Sequence, residues 1–296
     1  MSVLSAAYFH DEAEAYKELE ATLWPHGPVC PRCDGLDRIT TVKGGRIGLY
    51  RCGPCKRQFT VKVGTVFEAS HVPLNLWLQA VYLMCSSKKG ISSHQLMRIL
   101  DVQYKTAWFM THRIREAMKS GNLPPMGGVG AIVEIDETFI GQKADKPKRQ
   151  GYGHKHAVLT LVERGGTARS FHVDSTKSSE IMPIIWANVA PGTRIMTDEA
   201  RQYGPLSRYF TEHDFVSHGM GEYVRGDVHS NTVEGFYSVF KRGMKGVYQH
   251  CAAKHLHRYV AEFDFRYNNR VRLGVNDAMR AQQALKGIVG KRLTYR

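Results

Sequence analysis

Three acids and one lysine in this chain stand where their types and spacing could do chemistry. Asp136 lies in AIVEIDETFI, a strand-like run with Ile132, Val133 and Ile135 as apolar neighbours. Asp198 closes the run TRIMTDEA. Glu234 lies in HSNTVEGFYSVFKRGMKGVY, where Val233, Phe236, Tyr237 and Phe240 recur at helical spacing. Lys241 follows two turns later on the same side of that helix, beyond the reach of an ordinary salt bridge between neighbouring turns. A carboxylate in or at the end of an apolar strand is unfavourable unless it meets a metal, water or a partner. Three hard oxygen donors with positions left open suit Mg²⁺ or Mn²⁺. Two such ions promote in-line displacement at phosphorus, and Lys241 would neutralise a phosphate beside them. Each position has rivals, because a single strand aspartate is more often a hydrogen-bonded or edge residue than a ligand. Glu134 shares the strand face of Asp136. Glu137 and Glu199 should point the other way. Asn231, three residues before Glu234 on the same helix face, offers an amide oxygen in its place, and His229 is a further donor.

A second constellation is Cys30-Pro-Arg-Cys33, eighteen residues, then Cys52-Gly-Pro-Cys55. Two-residue spacing sets both thiolates of a pair on one side of a tight turn, and two such turns close a tetrahedron around Zn²⁺. Pro31, Gly53 and Pro54 suit those turns. The intervening DRITTVKGGRIGLYR has strand-like runs about a Gly-Gly turn, and QFTVKV adds another. The pattern is a zinc ribbon with a closed, structural site; a redox dithiol would need a βαβ setting that neither pair has. Cys85 and Cys251 lie singly in apolar segments and read as inert.

These groups need elements to carry them. Residues 1–25 read as a helical lead-in, 26–63 as the ribbon and 70–120 as a helical DNA-binding region. Within it LNLWLQAVYLMCSSKKGISSHQLMRILDVQYKTAWFMTHRIREAM parses into three helices, Ser92 capping the second. The arrangement resembles a helix-turn-helix, a plain bundle with a basic face being the alternative. Gly and Pro in SGNLPPMGGVG mark a linker at 121–130. Over 131–275 strands come first and then alternate with helices, which predicts an α/β domain with a mixed sheet. Residues 276–296 read as a C-terminal tail. The basic segment GQKADKPKRQGYGHKH reads as a loop or hairpin tip between the first two strands.

The chain of 296 residues carries a formal net charge of +14, which favours a polyanionic partner, nucleic acid first. Residues 26–63 hold eight Lys/Arg against two acids. Arg46, Lys56 and Arg57 in the ribbon, Lys105 and Arg113 in the helices and Arg242 beside Lys241 are the cations expected to meet DNA phosphates. No run of about 18 apolar residues is present, which predicts no membrane span. The N-terminus lacks the layout of a signal peptide, so a cytoplasmic protein is expected.

The paired Cys-x-x-Cys ribbon, VEIDETFIGQK, TDEARQY, HSNTVEGFYSVFKRGMKGVY and KHLHRYVAEFDFRYNNR together resemble the ISXO-type DDE transposases of bacterial insertion sequences (the insertion-sequence 1595 family). The resemblance runs from the ribbon to Asn269. It implies a ribonuclease H-like catalytic domain, a mixed five-stranded sheet with flanking helices, and a catalytic set of two aspartates, a Glu or Asn, and a lysine. Carried over, these are Asp136, Asp198, Glu234 and Lys241, with Asn231 as the alternative third ligand. The implied cofactors are structural zinc and catalytic Mg²⁺ or Mn²⁺. The implied activity is DNA recombination: cleavage of element ends at terminal inverted repeats, then joining of the 3′ hydroxyl to target DNA by a dimer or larger assembly acting at the nucleoid. The basic loop at 141–156 departs from the family's glycine-rich version, and no role is carried over for it. A metal-dependent nuclease of the same fold without strand transfer, and a non-enzymatic zinc-ribbon DNA-binding regulator, are the other classes the residues allow.

Overall fold

Ile132, Val133, Ile135, Phe139 and Ile140 make 132–140 a strand covered on both faces, at the centre of its sheet. The computed structural model describes residues 2–121, 123–148, 150–210, 212–222 and 224–294. It divides into two compact units, Met1–Lys119 with Asn269–Arg296, and Ser120–Asn268.

In the first unit, α1 (Glu12–Leu23) precedes a three-stranded antiparallel ribbon of β1 (Ile39–Thr41), β2 (Tyr50–Cys52) and β3 (Gln58–Phe59). Three helices follow, α2 (Leu74–Ser86), α3 (Ser93–Leu100) and α4 (Tyr104–Met118). The Ser92 hydroxyl caps α3, accepting from Gln95 N at 3.1 Å. Asp101, in the left-handed region at φ 49°, turns the chain toward α4. The lead-in is an integral part of this unit. Glu12 accepts from Leu74 N at 3.1 Å at the start of α2, and Glu20 accepts from the Tyr50 hydroxyl at 2.8 Å.

Within 276–296, expected as a tail, Asp277–Lys286 forms α8, capped by Asn276, in this same unit. Ala281, Ala284, Leu285 and Ile288 give it a buried stripe. Arg280 donates from Nη1 to Cys85 O at 2.9 Å and from Nε to Asn269 O at 2.8 Å. A buried guanidinium with backbone acceptors fixes a helix firmly.

The second unit holds a five-stranded mixed sheet of order β6-β5-β4-β7-β8. Its strands are β4 (Ile132–Ile140), β5 (His156–Glu163), β6 (Ala168–Val173), β7 (Arg194–Asp198) and β8 (Glu212–Val216). The first three are antiparallel, and β7 and β8 join in parallel. One face packs Val133, Ile135, Leu159, Leu161 and Ile195 against α5 (Ser178–Asn188) and a 3-10 turn at Arg201–Arg208. The other packs Ile140, Val158 and Val162 against α6 (Asn231–Gly243) and α7 (Ala253–Asn268).

The edge strand β6 is covered from α7. Asn268 accepts from Ala168 N at 2.7 Å and donates to Ala168 O at 2.9 Å, and Asp264 accepts from Ser170 N and Oγ at 2.8 and 2.6 Å. Free ladder groups at an edge invite pairing with another chain, and these side chains satisfy them. The expected linker at 121–130 is bound into this unit over its second half. Met126 exchanges backbone hydrogen bonds with Asn188 and Ala190 at 2.8 Å. Gly127, at φ 84°, passes so close to Thr193 that a Cβ would meet its Oγ1 at 2.4 Å. Glycine there serves close approach of backbone rather than flexibility.

Candidate active site

The parallel register of β4 and β7 pairs Ile132 with Arg194, Val133 with Ile195 and Glu134 with Met196. Continued along both strands, it sets Asp136 level with Asp198. Parallel partners point to the same face, and side chains two apart on a strand share it, so both aspartates project toward the face that α6 covers. Glu234 lies on the exposed stripe of α6 that also carries Asn231, Ser238 and Lys241. The carboxylates feel one another. Burial raises the Asp136 carboxyl to about 7, and the charges of Glu137, Asp198 and Glu234 add to the rise, while the Glu137 N–H, 2.7 Å from Oδ1, opposes it.

Each acid has a local partner. Asp198 Oδ1 accepts from Ala200 N at 3.0 Å, and Glu234 Oε1 accepts from the Ser230 hydroxyl at 2.8 Å. Lys241 Nζ lies 5.8 Å from the ring centroid of Tyr237. The Tyr237 hydroxyl donates to Asp136 O at 2.6 Å and also to Val158 O at 3.2 Å. Tyr237 thus fastens the helix carrying Lys241 to the strand carrying Asp136.

Glu134, a rival by sequence, has another task. It is 0% exposed. Its carboxylate accepts from Thr232 N at 2.7 Å, Thr232 Oγ1 at 2.8 Å, Val233 N at 3.0 Å and Arg164 Nε at 2.6 Å. Ser230, at the N-cap, makes no side-chain cap. The strand acid supplies the missing acceptors at the positive end of the helix dipole. Glu134 therefore docks the first turn of α6 on β4, which fixes where Glu234 emerges.

His229 belongs to the same anchor. Its Nδ1 receives from Arg164 Nη2 at 2.9 Å and Asn231 N at 3.4 Å. The same nitrogen lies 3.3 Å from Glu134 Oε1. Nothing in the sequence near Glu134 marks this role, since its partners lie 98 and 99 residues away. The one available signal was a carboxylate in an apolar strand.

Glu137 faces the opposite side, where Gln202 Nε2 donates to it at 3.2 Å; burial raises its carboxyl. Glu199 is exposed and accepts from Gly219 N at 2.8 Å.

The four cysteines converge. Cys30 and Cys55 Sγ are 3.7 Å apart, Cys33 and Cys52 Sγ are 3.6 Å apart, and all four ligand atoms lie within 4.8 Å of one another. Tetrahedral zinc with Zn–S bonds of about 2.3 Å needs sulfur separations of about 3.8 Å. Asp34 and Lys56, each just after the second cysteine of a pair, adopt matching left-handed conformations at φ 52° and 61°. The two knuckles are thus repeats of one turn. Trp24, Tyr50 and Phe59 pack beside the cluster. The donor set and spacing support structural zinc. Among the described residues, no carboxylate group is drawn together in this way.

Of the cations expected to meet DNA, Arg46, Lys56, Arg57, Lys105 and Arg242 are exposed. Arg242 folds back on Ser238, donating to its carbonyl at 2.9 Å and its hydroxyl at 2.8 Å. Arg113 is turned inward, with Nη1 donating to Val66 O and Glu68 O at 3.1 Å each.

A ribbon of four cysteines and an α/β unit with acids on two neighbouring parallel strands are the features set beside known proteins. Residues 127–268 match the ISXO2-like transposase domain, and residues 10–58 match the transposase zinc-ribbon domain. The chain is 33% identical over 254 residues to a protein of Halobacterium salinarum described as an uncharacterized protein in transposable element ISH50, spanning 79% of this chain and 83% of that protein. The chain belongs to the ISXO2-like transposase family. That relative comes from a halophilic archaeon. No helix among the described residues is long and apolar enough to cross a membrane.

Proposed function

We propose that the chain is a DNA transposase whose Ser120–Asn268 unit is a ribonuclease H-like catalytic domain that cleaves the ends of its element and joins them to target DNA. The observation that carries this reading is the shared face of Asp136 and Asp198, set by the β4–β7 register, with Glu234 on the helix that Glu134 docks there. The donor set fits divalent cations. Asp136 is raised to about 7 by burial and by surrounding negative charge, and a hard cation relieves both. When bound, Mg²⁺ or Mn²⁺ would supply an activated attacking oxygen and a stabilised leaving oxygen.

The residues of the chain do the rest. Asp136 and Asp198 offer carboxylate oxygens from a rigid sheet. Glu234 exchanges the Ser230 hydroxyl for the site, and Asn231 offers an amide from the turn before. Lys241, two turns on, holds a phosphate oxygen. Water attacks phosphorus at the element end and the bond to the 3′ oxygen breaks, freeing a hydroxyl. That oxygen then attacks a target phosphodiester and displaces another 3′ oxygen. Both steps are phosphoryl transfers at one site. The ribbon and α2–α4, the latter read as a helix-turn-helix, bind the terminal repeats through exposed cations, in a dimer or larger assembly that brings two ends together.

The test is cleavage of a labelled element-end duplex with Mg²⁺ or Mn²⁺. Asp136→Ala, Asp198→Ala and Glu234→Ala are expected to abolish cleavage with duplex binding retained. Activity kept in Glu234→Ala and lost in Asn231→Ala would assign the third ligand to the amide. Full activity in Asp136→Ala would overturn the reading.

A further inference from the structure

Within the same unit lies a cavity of about 450 Å³ between the end of β4, the basic loop before β5 and the turn after α6. That volume falls among small-ligand pockets, roughly 300–1,000 Å³. Its floor is apolar, from Ile140, Met244 and Leu256, all buried. Its walls carry Lys155, Lys241 and Lys245, and no Asp or Glu lines it among the described residues. At its rim Tyr152 is 59% exposed and stacks on Phe139, with ring centroids 4.6 Å apart and planes within 6°. Lys155 Nζ lies 5.2 Å from the Tyr152 centroid.

An exposed tyrosine held flat by a second ring is a stacking platform, and cations on the wall of a cavity attract phosphate. The two together are the chemistry of single-stranded nucleic-acid binding. Lys241 lines the cavity and stands roughly 10 Å along α6 from Glu234, which links the cavity to the proposed reaction centre. Resting on the transposase reading, we propose that the cavity takes one unpaired nucleotide of the DNA strand at the reaction centre, its base against Tyr152 and its phosphate against Lys155 and Lys245. The basic loop thereby acquires a function: it supplies the platform and one of the cations. A base leaves a duplex at a cost that is least where it is already unpaired, so the cavity favours ends that are frayed or tailed.

The experiment compares fluorescein-labelled DNA by anisotropy, a blunt duplex against the same duplex with a short single-stranded thymidine tail, without divalent metal. The wild type is expected to bind the tailed form about tenfold more tightly. Tyr152→Ala loses that preference with blunt-duplex affinity unchanged, and Tyr152→Phe keeps it. Equal binding of both forms by the wild type, or a preference surviving in Tyr152→Ala, overturns the proposal. A preference that persists in a protein unable to cleave leaves the cavity's role standing and defeats the proposed chemistry. Binding of neither DNA defeats the transposase reading and the cavity's ligand with it.

Discussion

Asp136 should weaken the metal-free fold above neutral pH, and Asp136→Asn should remove that weakness. The carboxyl is raised from 3.8 to about 7 in the folded chain. Between those values the folded state holds a proton that the unfolded state has released, so stability falls as pH rises through this window and the loss is complete above it. Three units correspond to at most about 4 kcal/mol. Asp136 retains some contact with solvent, and relaxation and water entry reduce the effect, leaving about 1–3 kcal/mol expected at pH well above 7. Asparagine keeps the acceptor for the Glu137 N–H. The assay is denaturant unfolding of the full chain from acid to mildly alkaline pH, with and without Mn²⁺. The variant should be more stable at alkaline pH and the gain should vanish toward pH 4. Mn²⁺ should stabilise the wild type by mass action and leave the variant unmoved. A variant no more stable than the wild type at alkaline pH, or stabilised equally by Mn²⁺, would refute the reasoning.

Glu134→Ala should act in the opposite direction, although it lies two residues away on the same strand face. It strands Arg164 and the first N–H groups of α6, a loss of about 3–5 kcal/mol readable in the same unfolding curves; a change below about 1 kcal/mol would contradict the docking role. Zinc analysis should find metal held by the four cysteines, and Cys52→Ser or strong chelation should release it and unfold the ribbon; a ribbon unchanged by chelation would sink the zinc assignment. DNA affinity should fall steeply with salt. Arg57→Ala should reduce the salt slope by about 1, whereas Arg113→Ala should lower stability and leave the slope alone, its guanidinium being bonded to backbone carbonyls.

The parts of the fold that were legible in the sequence are those governed by local pattern. The apolar neighbours of Asp136 marked β4, and the run ending in Asp198 formed β7. Cysteine spacing placed the cluster, and Ser92 marked the start of α3. What stayed hidden depends on distant partners. Glu134 looked like a rival ligand because its donors lie far along the chain. Arg113 looked like a solvated cation because its acceptors are carbonyls of another segment. The stripe of α8 is short and rich in alanine, so residues 276–296 read as a tail. The role of Tyr237, which ties α6 to both β4 and β5, was masked because an aromatic at helical spacing reads as core.

The most direct measurement is joining. A labelled element end with a free 3′ hydroxyl is incubated with supercoiled target plasmid and Mg²⁺ or Mn²⁺, and covalent transfer of label to the plasmid is followed. Transfer is expected with the wild type, none without divalent metal, and none with Asp136→Asn, Asp198→Asn or Glu234→Gln. Cleavage with no joining would make the protein a nuclease, and joining that survives Asp136→Asn would contradict the site.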